Sequence, residues 1–80
     1  MKENVIQMIA NIIKVTPNQI IADEDNHAMG KVSGWDSLAQ LSIMTEIEDE
    51  YELDLSIDEM ENMDSVKKIL IFLEDHINTK

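Results

Sequence analysis

The chain has 80 residues and a formal net charge of −11, from 17 acidic and 6 basic side chains. This length allows one small domain over residues 1–80, and the acidity argues against nucleic acid or an anionic membrane surface as a partner. The absence of cysteine excludes a disulfide framework and a thiolate metal site, and no apolar run is long enough to span a membrane. Because no signal peptide precedes the first helical pattern, we expect a cytoplasmic protein. The acidity favours partners with basic surfaces, and we expect the protein to be a monomer.

The first predicted element is an amphipathic helix over about residues 2–14. Its expected core face consists of apolar residues at helical spacing: Val5, Met8, Ile9, Ile12 and Ile13. Residues 16–19, Thr-Pro-Asn-Gln, then have the outline of a capping box with proline at the first helical position. We therefore predict one short turn there, with Ile20 and Ile21 packing on the bundle.

A long connection over about residues 23–35 follows. Connections of this length in small domains are often functional or mobile. The acids at positions 23–25 do not begin an EF-hand, because Ala28 stands where that motif requires glycine and Gly34 where it requires glutamate. We predict no metal site, and we expect Gly34 to provide a backbone conformation or a close approach that other residues would resist.

The clearest helical pattern covers residues 37–51, which contain neither glycine nor proline. Ser37 is placed at its N-terminus, where backbone N–H groups lack partners and the helix dipole is positive. A phosphate ester on this hydroxyl would therefore meet unpaired donors. The alternative is a simple helix cap, because Ser37 and Gln40 have the spacing of a capping box.

This helix is apolar on two sides. The arc expected to face the core contains Ile43, Met44, Ile47 and Tyr51. Leu38 and Leu41 point to nearly the opposite side, where they adjoin a polar and acidic strip. We define the acidic strip as Thr45, Glu48, Asp49 and Glu52. An exposed leucine pair rimmed by acids beside Ser37 indicates a docking surface.

The next segment connects this helix to a short one. Leu53 and Leu55 alternate with acids but have no second strand to pair with, so we predict a connection with both leucines buried. Residues 56–59 form a capping box that opens a short helix to about residue 62. Met60 and Met63 are either a flexible rim close to Ser37 or ordinary core residues.

Residues 64–65, Asp-Ser, are expected to cap the last helix, over about residues 66–77. Its predicted core face is Val66, Ile69, Leu70, Leu73 and Ile77. Together the elements predict an all-α fold. It is a small four-helix bundle, with three main helices, one short helix and a long loop between the first and second.

In this order and with these residues, the sequence resembles the acyl carrier protein family. The resemblance rests on Asp36-Ser37-Leu38 at a helix start, on the helix from Leu41 to Tyr51, and on Leu53-Asp54-Leu55 after it. Residues 60–66 also resemble the family's short third helix and the start of its last one. The resemblance covers nearly the whole chain.

The resemblance implies that 4′-phosphopantetheine is attached to the Ser37 hydroxyl and carries an acyl or aminoacyl group as a thioester between enzymes. Asp36, Leu38 and the acidic strip would then be recognised by a phosphopantetheinyl transferase. Later partners would be a loading ligase and downstream synthases or transferases with basic docking surfaces. Gly34 is expected to form part of the attachment site. The residues expected to contact partners also include Leu41, Met60, Met63 and Trp35. The protein would be a carrier and not an enzyme.

Trp35 departs from the family's pattern, since carriers of fatty-acid synthesis usually have a small residue before Asp-Ser. Its indole is expected to seal the edge of the core, or alternatively to contact the flexible 4′-phosphopantetheine arm or a partner. Trp35 also interrupts the Gly-Gly-x-Ser outline of peptidyl carriers. These departures favour a free-standing acyl carrier in lipid or secondary-metabolite synthesis, with an aminoacyl, peptidyl or D-alanyl carrier as the alternative.

Two other classes compete with a carrier. A helical interaction module without a prosthetic group would use Ser37 only as a cap. A hydrolase would use Ser37 as nucleophile with His27 or His76 as base, but the Gly-x-Ser-x-Gly pattern is absent and nothing marks an oxyanion hole. The residues do not identify the cargo.

Overall fold

The computed structural model describes residues 2–78, with side chains through residue 76, and the described chain is all-α. Its helices are α1 (Lys2–Ile13), α2 (Pro17–Ala22), α3 (Ser37–Tyr51), α4 (Ile57–Asn62) and α5 (Val66–Asn78), with a short 3-10 helix at Glu24–Asn26. The part of the chain that is described contains no β-strand, only an isolated bridge between Ala28 and Ser65. The predicted fold class is therefore confirmed. None of these helices is long and apolar enough to cross a membrane.

The segment after α1 is a helix of six residues rather than the single turn that we predicted. The Thr16 hydroxyl accepts a hydrogen bond from the Gln19 N–H, and the Gln19 side chain accepts one from the Thr16 N–H. This complete capping box, with Pro17 at the first helical position, extends the turn into α2. Only Ile20 is buried, and Ile21 is exposed, because neighbouring helical residues point about 100° apart.

Helix α1 lies against α2, α3 and α5. Its buried residues are Val5, Ile6, Ile9, Ala10 and Ile13. The buried face is thus turned by one position from the one predicted: Met8 and Ile12 are only partly buried. A helix with neighbours on several sides buries more than the arc that its most apolar residues define, which brings Ile6 and Ala10 inside.

The other core predictions are largely confirmed. The buried residues of α3 and α5 include Ile43, Met44, Ile47, Val66, Ile69, Leu70 and Leu73, and Tyr51 packs against them. Leu55 is buried, whereas Leu53 is only partly so. Ile77, the remaining residue of the predicted α5 face, lies outside the described side chains.

The long connection before α3 is more ordered than its sequence suggested. Besides the 3-10 helix, the Met29 N–H donates to the Asp64 carbonyl at 2.8 Å and the Val66 N–H to the His27 carbonyl at 3.0 Å. These two bonds form the Ala28–Ser65 bridge and fix the loop to the start of α5. Such pairing depends on residues far apart in sequence, so local patterns could not indicate it.

The chain carries many more acidic than basic side chains. The ion pairs among the described residues are Lys2–Glu24, Lys67–Asp25 and Lys68–Asp64, with N–O distances of 3.2 to 3.6 Å. Such isolated pairs at the surface contribute little to stability. The net charge of −11 therefore leaves a repulsion that opposes folding.

Added magnesium chloride is expected to raise the melting temperature by several degrees, because counterions screen this repulsion. In a domain of this size, each kcal/mol of stabilisation raises the melting temperature by about 4–8 °C. The measurement is thermal unfolding followed by circular dichroism, and sodium chloride at equal ionic strength should give a similar rise because screening depends on ionic strength. A melting temperature that stays flat or falls would contradict the role given to self-repulsion.

Glu59 is expected to make part of the stability depend on acid pH. The Ser56 N–H donates to Glu59 Oε1 at 2.9 Å, and this bond, with the Ser56 hydroxyl and more weakly His76, holds the pKa of Glu59 below its ordinary value of 4.5. This stabilisation is present above the unfolded-state pKa and is lost as the pH falls through the lowered value. Glu59→Gln keeps the capping acceptor but not the charge. Denaturant unfolding should therefore show wild type as the more stable at pH 7 and the difference shrinking by pH 3; a constant difference would refute the assignment.

Candidate functional site

Ser37 is the first residue of α3, but Asp36 caps the helix. Asp36 Oδ1 accepts a hydrogen bond from the Ala39 N–H at 2.9 Å, and its carbonyl accepts one from the Gln40 N–H at 2.9 Å. The capping box that we considered for Ser37 and Gln40 is therefore wrong. The extended backbone of Asp36 aims its carboxylate at the first turn, which leaves no capping role for the hydroxyl one residue later.

The Ser37 hydroxyl is accessible and uncommitted. Ser37 is exposed, and its side chain makes no hydrogen bond to any described residue. The N–H groups of Ser37 and Leu38 likewise have no partner within residues 2–78. These donors lie at the positive end of a helix of 15 residues. An anionic ester on Ser37 would be stabilised there.

The backbone before Ser37 passes directly against the end of α1. A Cβ atom at Gly34 would overlap the carbonyl oxygen and carbonyl carbon of Ile13. This contact explains the glycine by close approach, one of the two reasons predicted for it. It also sets the position of the loop from which Asp36 and Ser37 emerge.

Trp35 is a core residue. It is 1% exposed, and its Nε1–H donates to Gln40 Oε1 at 2.7 Å. The expectation that the indole seals the edge of the core is confirmed. The alternative, that the indole contacts the prosthetic arm or a partner, is wrong because the ring is buried. Met63 is 2% exposed, so the expectation that it lies on an exposed rim or contacts a partner is wrong too. Both side chains are large and apolar, so the bundle buries them.

A groove of about 370 Å³ opens beside Ser37. It is lined by Met29, Ser37, Gln40, Leu41, Met44, Ile57, Met60 and Glu61. Five of these eight residues are apolar, and they come from the loop, α3 and α4. Of the two methionines proposed as a rim, only Met60 takes part.

Sequence reasoning missed two apolar residues of this groove. Ile57 is 73% exposed and lies directly after the capping Ser56. Met29 reaches the groove through the backbone bonds that fix its loop to Asp64. No local pattern indicates such a position.

The leucine pair and the acidic strip occupy the exposed side of α3. Leu38 and Leu41 are 76% and 58% exposed, as predicted. Thr45 adjoins them, and its hydroxyl donates to the Leu41 carbonyl at 2.9 Å. Asp49 is exposed farther along the helix. The exposed side of α3 is thus apolar next to Ser37 and acidic farther along the helix.

Two acids of the strip also have structural roles that the sequence did not show. Glu48 is half-buried, and its Oε2 accepts from the Leu55 N–H at 3.0 Å, which holds the connection after α3 against the helix. Glu52 ends α3 in a left-handed conformation with φ 53°, and its N–H donates to the Glu48 carbonyl. Only part of the Glu48 carboxylate therefore faces outward.

Neither histidine lies in the groove beside Ser37. His27 Nδ1 is 2.7 Å from the Asp23 carbonyl oxygen, and His76 stacks on Phe72 with the ring centroids 4.7 Å apart. The groove thus does not bring a histidine base to the serine. Within residues 2–78, no group of three or more His, Cys, Asp or Glu residues could hold a metal ion.

A small helical domain that presents an exposed serine at a helix N-terminus, next to an apolar groove, has the features of a carrier. The family model described as the phosphopantetheine attachment site matches residues 3–73. The chain therefore belongs to this family, that of the acyl carrier proteins, whose domains are non-catalytic and hold a covalently attached 4′-phosphopantetheine. Searches of curated proteins and of solved structures gave no significant match.

Proposed function

We propose that the chain is an acyl carrier protein and that Ser37 is the residue to which 4′-phosphopantetheine is attached. The observation that carries this proposal is the state of the Ser37 hydroxyl. It is exposed on the first residue of α3, and Asp36 has taken over the capping role that would otherwise engage it. Family membership indicates 4′-phosphopantetheine as the prosthetic group, and this geometry favours Ser37 as its attachment residue.

The residues around Ser37 fit the group. The free N–H groups of Ser37 and Leu38 are available to phosphate oxygens, while Asp36 fixes the first turn of α3. Gly34 keeps the preceding loop against Ile13. When bound, the group supplies a flexible arm whose thiol holds an acyl group as a thioester. The adjoining groove offers an apolar surface to the arm or its cargo.

The groove also favours an acyl load over an aminoacyl one. Its walls are formed mainly by methionine, leucine and isoleucine side chains, and Glu61 is its one charged lining residue. Apolar walls stabilise a hydrocarbon by removing it from water, whereas an ammonium group gains nothing from contact with them. Housekeeping fatty-acid synthesis is disfavoured by Trp35, which stands before Asp36 in place of a small residue.

The proposed partners recognise the surface beside Ser37. They are a phosphopantetheinyl transferase, a loading ligase, and later synthases or transferases. Leu38 and Leu41 would give each partner an apolar contact. A basic partner surface would be attracted by the acidic strip, which consists of Thr45, Asp49, Glu52 and the outer part of Glu48. Charge complementarity of this kind mainly raises the association rate and selects the orientation of docking. A monomeric state and a cytoplasmic location stay predictions.

The test of this function is to co-express the chain with a broad-specificity phosphopantetheinyl transferase and to weigh the intact protein. A carrier shows one prosthetic-group mass increment per chain. An interaction module that uses no prosthetic group shows none, and that result would overturn the proposal. The cargo is then tested by supplying the modified protein and a loading ligase with acyl and aminoacyl substrates of matched size. The rate of acyl transfer to the carrier is expected to exceed the rate of aminoacyl transfer.

A further inference from the structure

Helix α4 is weakly anchored by its own side chains. It has six residues, and none of them is buried, although Met60 packs partly against the core. Its first turn is closed locally by the capping box between Ser56 and Glu59. Its last turn is held from another helix, because the Gln40 side chain of α3 donates to the carbonyls of Met60 and Met63 at 3.0 and 2.9 Å.

The chemistry of these contacts fixes the orientation of the Gln40 amide. Carbonyl oxygens can only accept, so they require the NH₂ group, and the Trp35 indole N–H can only donate, so it requires the amide oxygen. All three bonds are formed together in a half-buried site. Gln40 therefore joins α4 both to α3 and to the loop that leads into Ser37.

Gln40 also lies in the groove beside Ser37. One wall of this groove comes from α3 through Ser37, Gln40 and Leu41, and the facing wall comes from α4 through Ile57 and Met60. The spacing between these two helices therefore sets the width of the groove. Gln40 forms the side-chain hydrogen bonds of the described structure that join α3 to Met60 in α4 and to Met63, the C-cap residue of α4.

We propose that Gln40 is a positioning residue that latches α4 onto α3, and that breaking its bonds to the Met60 and Met63 carbonyls releases α4 and widens the groove. Helix α4 is then a movable wall whose resting position Gln40 sets. The use of the groove by the arm rests on the proposed function. The latch itself is a property of the unmodified chain, so it is tested there and can fail or hold independently of any modification of Ser37.

The first test is amide hydrogen exchange of the unmodified protein. Gln40→Met removes all three bonds without adding charge, and Gln40→Glu keeps an acceptor for Trp35 but places a carboxylate against two carbonyls. Loss of two hydrogen bonds of ordinary strength should make exchange at residues 60–63 roughly 10- to 100-fold faster while α1 and α5 stay protected. Gln7→Glu is the control, because Gln7 is exposed and bonds only within α1.

The exchange pattern can refute the latch in two ways. Unchanged protection at residues 60–63 would show that Gln40 does not hold α4. Faster exchange spread evenly over the bundle would show that Gln40 acts only on global stability. Because both variants retain helix-forming side chains of similar length, at least one is expected to remain folded at low temperature.

The second test measures the width of the groove, which a merely stabilising residue would not change. The chain contains no cysteine, so Leu41→Cys and Ile57→Cys allow specific spin labels on exposed positions of the two walls. Pulsed electron paramagnetic resonance should give a longer and broader distance distribution with Gln40→Met than with native Gln40 or Gln7→Glu. An unchanged distribution would overturn the movable wall.

Discussion

Ser37→Ala is expected to abolish attachment of the prosthetic group while leaving the fold intact. The alanine lacks the oxygen to which the phosphate would be joined, so no residual loading is expected. Stability should change by no more than about 0.5 kcal/mol, because the hydroxyl is exposed, bonds to no described residue and is not the cap of α3. Intact mass after co-expression with the transferase measures the first effect, and denaturant unfolding measures the second.

Two other serines provide matched controls. Ser33 is exposed in the loop before the site, and Ser42 is exposed on α3 but lies beyond its first turn. Neither occupies the helix N-terminus that presents free N–H groups. Ser33→Ala and Ser42→Ala should therefore load to the wild-type level. Loss of loading in either control with retention in Ser37→Ala would assign the site to a different hydroxyl.

Gly34→Ala is expected to cost about 3 kcal/mol of folding stability, a large part of the roughly 4–12 kcal/mol typical of a domain of this size. The added Cβ would overlap the Ile13 carbonyl, and this is contact with backbone rather than with a flexible side chain. Either the end of α1 or the loop before α3 must shift. Chemical denaturation followed by circular dichroism measures the loss, and we also expect slower loading because Asp36 and Ser37 follow this loop.

Gly30→Ala separates steric overlap from conformational strain. A Cβ at Gly30 would meet nothing within 4 Å, but its φ of +85° is one that L-residues rarely adopt. We expect a cost of about 1 kcal/mol from the backbone conformation alone. A larger loss at Gly30 than at Gly34 would contradict the close-approach explanation.

The features that the sequence predicted well depend on residues close together in the chain. The capping boxes at Thr16 and Ser56 formed as predicted, because each needs only four consecutive residues. The core faces of α3 and α5 follow from helical periodicity. The exposed pair Leu38 and Leu41 was recognised in the same way, as apolar residues on the wrong side of the helix for the core.

The features that the sequence misplaced depend on competition or on distant contacts. Asp36 and Ser37 are both good caps, and only the backbone geometry showed that Asp36 takes this role. Gln40, freed from the predicted capping box, bonds instead to Trp35 and to carbonyls 20 and 23 residues away. That same three-way contact explains why Trp35 belongs to the core and gives α4 its anchor.

Peptide-level mass spectrometry of the modified protein tests most directly whether Ser37 carries the arm. Trypsin should release residues 32–67, a peptide that contains Ser33, Ser37, Ser42, Ser56 and Ser65. Fragment ions are expected to place the whole phosphopantetheine mass on Ser37. The same mass on any of the other four serines, or a peptide that stays unmodified after exposure to an active transferase, would contradict it.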